Sequence, residues 1–236
     1  MKLNQENIND LIENKSNFVR FSQGIEEMFN GPSAYFYLQS IKTIKENNYK
    51  ELFSNDHFIE YLYATLACWG MHRMDRKTRM TEFKTFKDSI LKNKELFIEL
   101  SKEKLREVDI EKIREKILKI FRTLNLMSRE NAPKLVANSK MIHFLLPNLA
   151  PPMDKGNVIY FFYGKDRINK KGKTVKSTPT IKNEGEVFVN ILREFQKIAN
   201  KLDLSEKDLK NKWDTSIPKL IDNAIIGYNL NKSIDE

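Results

Sequence analysis

Apolar positions along the chain recur mostly three and four residues apart, and Gly, Pro or Asn interrupts them at intervals suited to helix ends. The pattern predicts an almost entirely helical chain. One helix is expected over about 17–30, stopping at Asn30-Gly31-Pro32, where glycine accepts a left-handed cap and proline cannot extend the hydrogen-bond ladder. Ser33 is placed to cap the next helix, whose Tyr35, Leu38, Ile41 and Ile44 form one stripe. From 56 to about 74 nearly every face is apolar, through Phe58, Ile59, Leu62, Leu66 and Trp69, so this segment is expected to be the buried central helix. Thr81 and Asp109 are expected caps for helices over 82–91 and 110–126, and the stretch 95–108 between them is amphipathic.

A further helix is expected over about 132–146, stopped by Pro147. Residues 147–153, PNLAPPM, then make a stiff extended connection, because Pro151 and Pro152 fix their own φ angles and bias the residues before them away from helix. Asp154 follows as an N-cap by position and by type, opening a helix that runs to about 164. The last helices are expected over 184–202, 206–213 and 218–228, with Ser216 as a cap and Pro218 in the first turn. There is no internal repeat. The fold expected is all-α, a compact multi-helix bundle forming one domain over 1–236, with room for two lobes, about 1–126 and 127–236, around a cleft.

Charge adds to this picture. The 236 residues carry 41 Lys and Arg against 32 Asp and Glu, a net charge of +9, and six of the cations fall in one apolar-poor loop: Lys165, Arg167, Lys170, Lys171, Lys173 and Lys176, against Asp166 alone. Such a loop can neutralise several phosphates, giving affinity without sequence readout. Arg73, Arg76 and Arg79 form a second basic cluster, and Tyr160, Phe161, Phe162 and Tyr163 stand beside the loop, suited either to stacking on bases or to the core. DNA is the partner expected. The apolar stretches are well short of the roughly 20 residues that cross a bilayer, and the N-terminal stretch has no apolar signal region, so no membrane association and a cytoplasmic location are expected. One Cys rules out a disulfide within the chain. Cys68 and His72 share a helix face, but nothing in their spacing gathers further ligands, and no metal is expected.

The chemistry concentrates in KLVANSKMIHFLLPNLAPPMDKGNVIYFF, residues 134–162. Lys140 lies among Val136, Met141, Ile142 and Phe144, where desolvation favours its neutral, nucleophilic form. Asp154 sits where a helix dipole favours negative charge, able to stabilise a developing cation or steer a proton. An amine and a carboxylate so disposed are the parts required for Schiff-base chemistry at a sugar C1′. Ser139 and His143, on neighbouring faces of the same helix, are candidates to orient substrate, and Trp69 is a candidate to stack on a flipped base.

This segment resembles the helix-hairpin-helix DNA glycosylase superfamily, its 8-oxoguanine-type members above all. There a Lys near the start of an apolar helix attacks the damaged nucleotide and an Asp after Pro-Val caps the next helix. Lys140 matches the first, and Pro152-Met153-Asp154 matches the second. The resemblance implies an all-α, two-lobed fold that excises a flipped base, can cleave the abasic strand and needs no obligatory cofactor. The lone Cys does not fit those members that carry an iron–sulfur cluster on four Cys. The family's Gly-x-Gly hairpin is absent from the equivalent NAPKLVANSK, and Lys155-Gly156-Asn157-Val158 replaces a Thr-His-Val tail. Three functions therefore stand open: a DNA glycosylase or abasic-site lyase working through Lys140, a non-catalytic nucleic-acid-binding or scaffolding protein with the same basic surface, and a protein–protein module whose charge only confers solubility.

Overall fold

A computed structural model describes the chain except residues 1, 26–28, 73–78, 130, 166, 169–173, 176–178 and 235–236, with backbone alone at 167, 168, 174, 175, 233 and 234. Its helices are α1 (Gln5–Leu11), α2 (Lys15–Gln23), α3 (Gly31–Glu46), α4 (Tyr49–Leu52), α5 (Asp56–Leu66), α6 (Phe83–Leu91), α7 (Lys94–Leu100), α8 (Ile110–Thr123), α9 (Leu135–Leu145), α10 (Tyr160–Tyr163), α11 (Glu184–Lys201) and α12 (Ile217–Ile234). A π-type turn, Ala67–Met71, continues α5, and another, Lys155–Ile159, leads into α10. The fold is all-α. Beyond these helices and short 3₁₀ turns, the described residues form only a two-residue antiparallel pairing of Arg167–Ile168 with Thr174–Val175 and an isolated bridge between Met80 and Met127. No helix among the described residues is long and apolar enough to cross a membrane.

Capping chemistry sets many of the boundaries. The side chains of Asn4, Asn14, Asn48, Asn55 and Asp109 each accept a backbone N–H in the first turn of the helix that follows, satisfying donors the helix itself cannot. In α8 the buried positions Ile110, Ile113, Ile117, Ile120 and Phe121 keep the helical period and face α11, whose Phe188 stacks on Phe121. Ion pairs of Arg114 with Glu186 and of Arg193 with Glu111 run along the edge of that seam.

Several boundaries differ from the pattern. The helix expected to reach residue 30 ends at Gln23, and α3 begins at Gly31, which has a φ of +67°. Ser33 lies inside the first turn of α3, its hydroxyl donating to the Asn30 carbonyl. Glu82, not Thr81, precedes α6, because Thr81 N donates to Leu126 O and ties the chain to the end of α8. Residues 206–213 form only a short 3₁₀ turn over Glu206–Asp208, closed by a reciprocal Ser205–Asp208 capping box.

The most enclosed helix is α9, where Leu135 and every residue from Ala137 to Leu145 are buried. The segment after Asp56 is apolar, yet its Tyr61 and Tyr63 reach partial exposure, so α9 takes the central place expected of it. The start of α9 is fixed by the buried Glu184, whose carboxylate accepts from Lys134 N at 2.8 Å, and Asn138 donates to the carbonyl of Phe121 at 2.7 Å. Across the molecule, α2 packs on α12 so closely that a Cβ at Gly227 would lie 2.0 Å from the Phe21 carbonyl oxygen.

Candidate functional site

Ser139 and Lys140 lie in the middle of α9, and the chain leaves that helix through Pro147 to return along its flank as far as Met153. Ser139 makes the return path definite: its hydroxyl accepts from Met153 N at 3.1 Å. That contact delivers Asp154 to the start of the next helical segment with extended backbone, and its carboxylate accepts from Asn157 N at 2.6 Å and from Asn157 Nδ2 at 3.1 Å. The expected cap therefore exists, held in place from both sides.

Lys140 is nearly buried. Only 8% of it is exposed, and its Nζ donates to the backbone carbonyl of Trp69 at 2.9 Å while lying 5.6 Å from the Trp69 ring centroid. The helical path kinks there: Trp69 and Gly70 depart from helical dihedrals inside the π-type turn, and Gly70 adopts a φ of +93°, a left-handed conformation that glycine tolerates. The indole N–H donates to the Ser33 carbonyl at 3.2 Å, which fixes the ring plane.

Lys140, Asp154 and Trp69 together line one cleft of about 290 Å³, at the lower end of the roughly 300–1,000 Å³ usual for small-molecule sites. Phe29, Ser33 and Cys68 contribute from the same side as Trp69, and Lys219, Asp222 and Ile226 from α12. Burial holds the Lys140 amine below the ordinary lysine value; the carboxylates of Asp154 and Asp222 oppose that shift, and the Lys219 ammonium reinforces it. Burial pushes the Asp222 carboxyl up, with Lys219 opposing. A larger groove of about 820 Å³ lies elsewhere, along Lys104, Arg106, Asn148 and Thr215. Its guanidinium is already engaged by Leu204 O and Asp203, and no desolvated amine lines it.

The sequence-predicted residues thus separate into groups. Lys140, Asp154 and Trp69 come together at the cleft. Ser139 and His143 do not line it, which corrects the expectation that they orient substrate: both are fully buried, and the helix faces they occupy meet protein rather than the cleft. Ser139 holds Met153, and His143 is fully buried with Nδ1 facing the Ala150 carbonyl at 2.8 Å and Nε2 facing the Tyr37 hydroxyl at 2.9 Å. Phe144 and Trp213 are likewise interior, as are Phe161 and Phe162, so these aromatics serve packing. Of the basic residues, Arg79 and Lys165 are exposed. Arg73, Arg76, Lys170, Lys171, Lys173 and Lys176 lie outside the described residues, and Arg167 is described only as backbone.

Sequence pattern missed the Lys219–Asp222 pair and Phe29. The available signal was a Lys and an Asp three apart within the otherwise apolar IPKLIDNAIIGY, a spacing that places them on one helix face. Among the described residues no three His, Cys, Asp or Glu side chains gather where a metal ion could be held. Comparison with protein-family models, with curated proteins and with solved structures finds no match for this chain.

Proposed function

We propose that this protein is a DNA base-excision enzyme, a glycosylase or abasic-site lyase whose nucleophile is the Lys140 amine. The observation that carries the reading is a desolvated lysine, a helix-capping carboxylate and an aromatic wall lining one open cleft. The cleft is far too narrow for a duplex, so a nucleotide must leave the stack to enter it. The net charge of +9, with exposed Arg79 and Lys165, supports a phosphate-bearing partner.

In this reaction the lone pair of neutral Lys140 Nζ attacks C1′ of the extruded nucleotide. The C1′–N bond breaks, its electron pair leaves with the base, and the base takes up the proton that Nζ gives away. Loss of the C1′–O4′ bond, with protonation of O4′, leaves an iminium between C1′ and Nζ. Asp154 stabilises that cation and passes protons. Water then returns the free amine and an aldehyde sugar. Alternatively, loss of a C2′ proton expels the 3′-phosphate with the C3′–O bond pair, which cuts the strand.

Borohydride trapping on abasic and 8-oxoguanine duplexes tests the reading. Wild type is expected to form a covalent adduct by reduction of the iminium, and Lys140→Ala none. Absence of an adduct with wild type, or equal trapping by Lys140→Ala, overturns it. Salt-sensitive duplex binding unaffected by Lys140→Ala, with no base release, would instead mark a non-catalytic nucleic-acid-binding protein.

A further inference from the structure

A second lysine stands in the same cleft. Lys219, on the first turn of α12, is 2% exposed, and its Nζ donates to Asp222 Oδ2 at 2.6 Å and to Asn223 Oδ1 at 2.7 Å. It also lies over two aromatic faces, 4.8 Å from the Phe29 centroid and 5.6 Å from that of Trp69. Trp69 therefore has the Lys140 amine and the Lys219 ammonium within reach of the same ring. Asn223 is itself held, its Nδ2 donating to the Trp213 carbonyl and to Asp214 Oδ1.

Such construction is costly for stability alone. An ion pair taken fully out of water is often no better than well-packed apolar side chains of the same volume. Lys219 is almost fully buried at the cleft wall and takes its hydrogen bonds from Asp222 and Asn223, without need of Lys140. The charged groups facing Lys140 are the Asp154 carboxylate beyond the proline turn and, from α12, the Asp222 carboxylate and the Lys219 ammonium. Burial is the first cause that favours the neutral amine; of the charged groups, the two carboxylates favour a protonated Lys140 and Lys219 adds to the effect of burial.

We propose that Lys219 is a positioning residue for Lys140: a buried, hydrogen-bonded like charge across the cleft that keeps the nucleophilic amine from being held as an ammonium by Asp154 and Asp222. A neighbouring cation is an established way to free a lysine for attack on a carbonyl-type carbon. This rests on the reading of Lys140 as the nucleophile, but its test needs no DNA.

The experiment is limited reductive methylation of the whole protein with formaldehyde and cyanoborohydride across a pH series, with the yield at Lys140 read by peptide mass spectrometry against the exposed Lys42. In wild type, Lys140 gains reactivity at lower pH than Lys42. In Lys219→Met the Lys140 midpoint moves up by about one pH unit, which is about a tenfold loss of neutral amine at pH 7, whereas the charge-retaining Lys219→Arg stays with wild type. Asp222→Asn removes a carboxylate that itself favours the ammonium and so moves the midpoint down on its own. The deciding comparison, should Lys219→Met not fold, is Asp222→Asn against Lys219→Met/Asp222→Asn, which strands no buried charge and in which loss of Lys219 moves the midpoint back up. A Lys219→Met profile that superimposes on wild type, a Lys219→Arg profile that moves as far as Lys219→Met, or a double-variant profile that superimposes on Asp222→Asn would overturn the proposal. Failure of borohydride trapping on DNA leaves this result untouched, so the two readings fail separately.

Discussion

The hydroxyl of Ser139 accepts a hydrogen bond from the backbone N–H of Met153 at 3.1 Å, joining the helix that carries Lys140 to the connection that carries Asp154. Both partners are fully buried, so the N–H has no water to turn to. Ser139→Ala should therefore cost about 1–3 kcal/mol in urea unfolding, the usual penalty for stranding a buried donor. A change within about 0.5 kcal/mol, typical of surface substitutions, would show that the contact does not set the path of the connection.

Gly70 turns the chain with a φ of +93° and has open space where a Cβ would stand. Gly70→Ala meets no clash, so only backbone strain is added, about 1–2 kcal/mol for a left-handed L-residue. Thermal melts should show that loss. Methylation of Lys140 should rise along with it, because relaxation of the turn withdraws the Trp69 carbonyl from the amine.

Gly227 offers the contrast, since a methyl group there would overlap the Phe21 backbone. Backbone cannot step aside as a flexible side chain does. Gly227→Ala should lower stability by about 1–3 kcal/mol or more through separation of α2 from α12, measured by denaturant midpoint. Gly156→Ala, whose Cβ would make only an ordinary 3.7 Å contact with the Asp154 carboxylate, should leave the midpoint nearly unchanged.

His143 predicts a pH dependence. Its Nδ1 faces a carbonyl and must donate, so Nε2 accepts from Tyr37, whose oxygen then accepts from Thr215 at 2.6 Å. Burial pushes its pKa from the ordinary 6.5 down to about 3. Below pH 6.5 the unfolded chain takes up a proton that the folded chain refuses. Stability contributed by the neutral ring is full above that pH and is lost as pH falls toward about 3, by up to about 1.4 kcal/mol per pH unit. Urea unfolding of wild type should therefore lose more stability than His143→Gln between pH 6.5 and 4. Parallel slopes would show that the ring titrates normally.

Sequence and structure agree where the signal is local. A lysine in an unbroken apolar run and an aspartate after two prolines are each marked by their immediate neighbours, and both reach the cleft. Ser139 and His143 fall outside the cleft because helical spacing tells which face a residue occupies, not whether that face is covered, and theirs are covered. Lys219 was invisible for a different reason. The groups that give it meaning, Phe29 and Trp69, stand some 190 and 150 positions away, and only the fold brings them to the first turn of α12.

Trp69 supplies two things at once: a ring that walls the cleft and a carbonyl oxygen that receives the Lys140 amine. An amine that donates one N–H has its remaining lone pair aimed by that donation. The ring is pinned through its N–H on the Ser33 carbonyl and the oxygen engages the Lys140 amine, so under the proposed reading a single residue sets both the wall of the cleft and the direction of that lone pair.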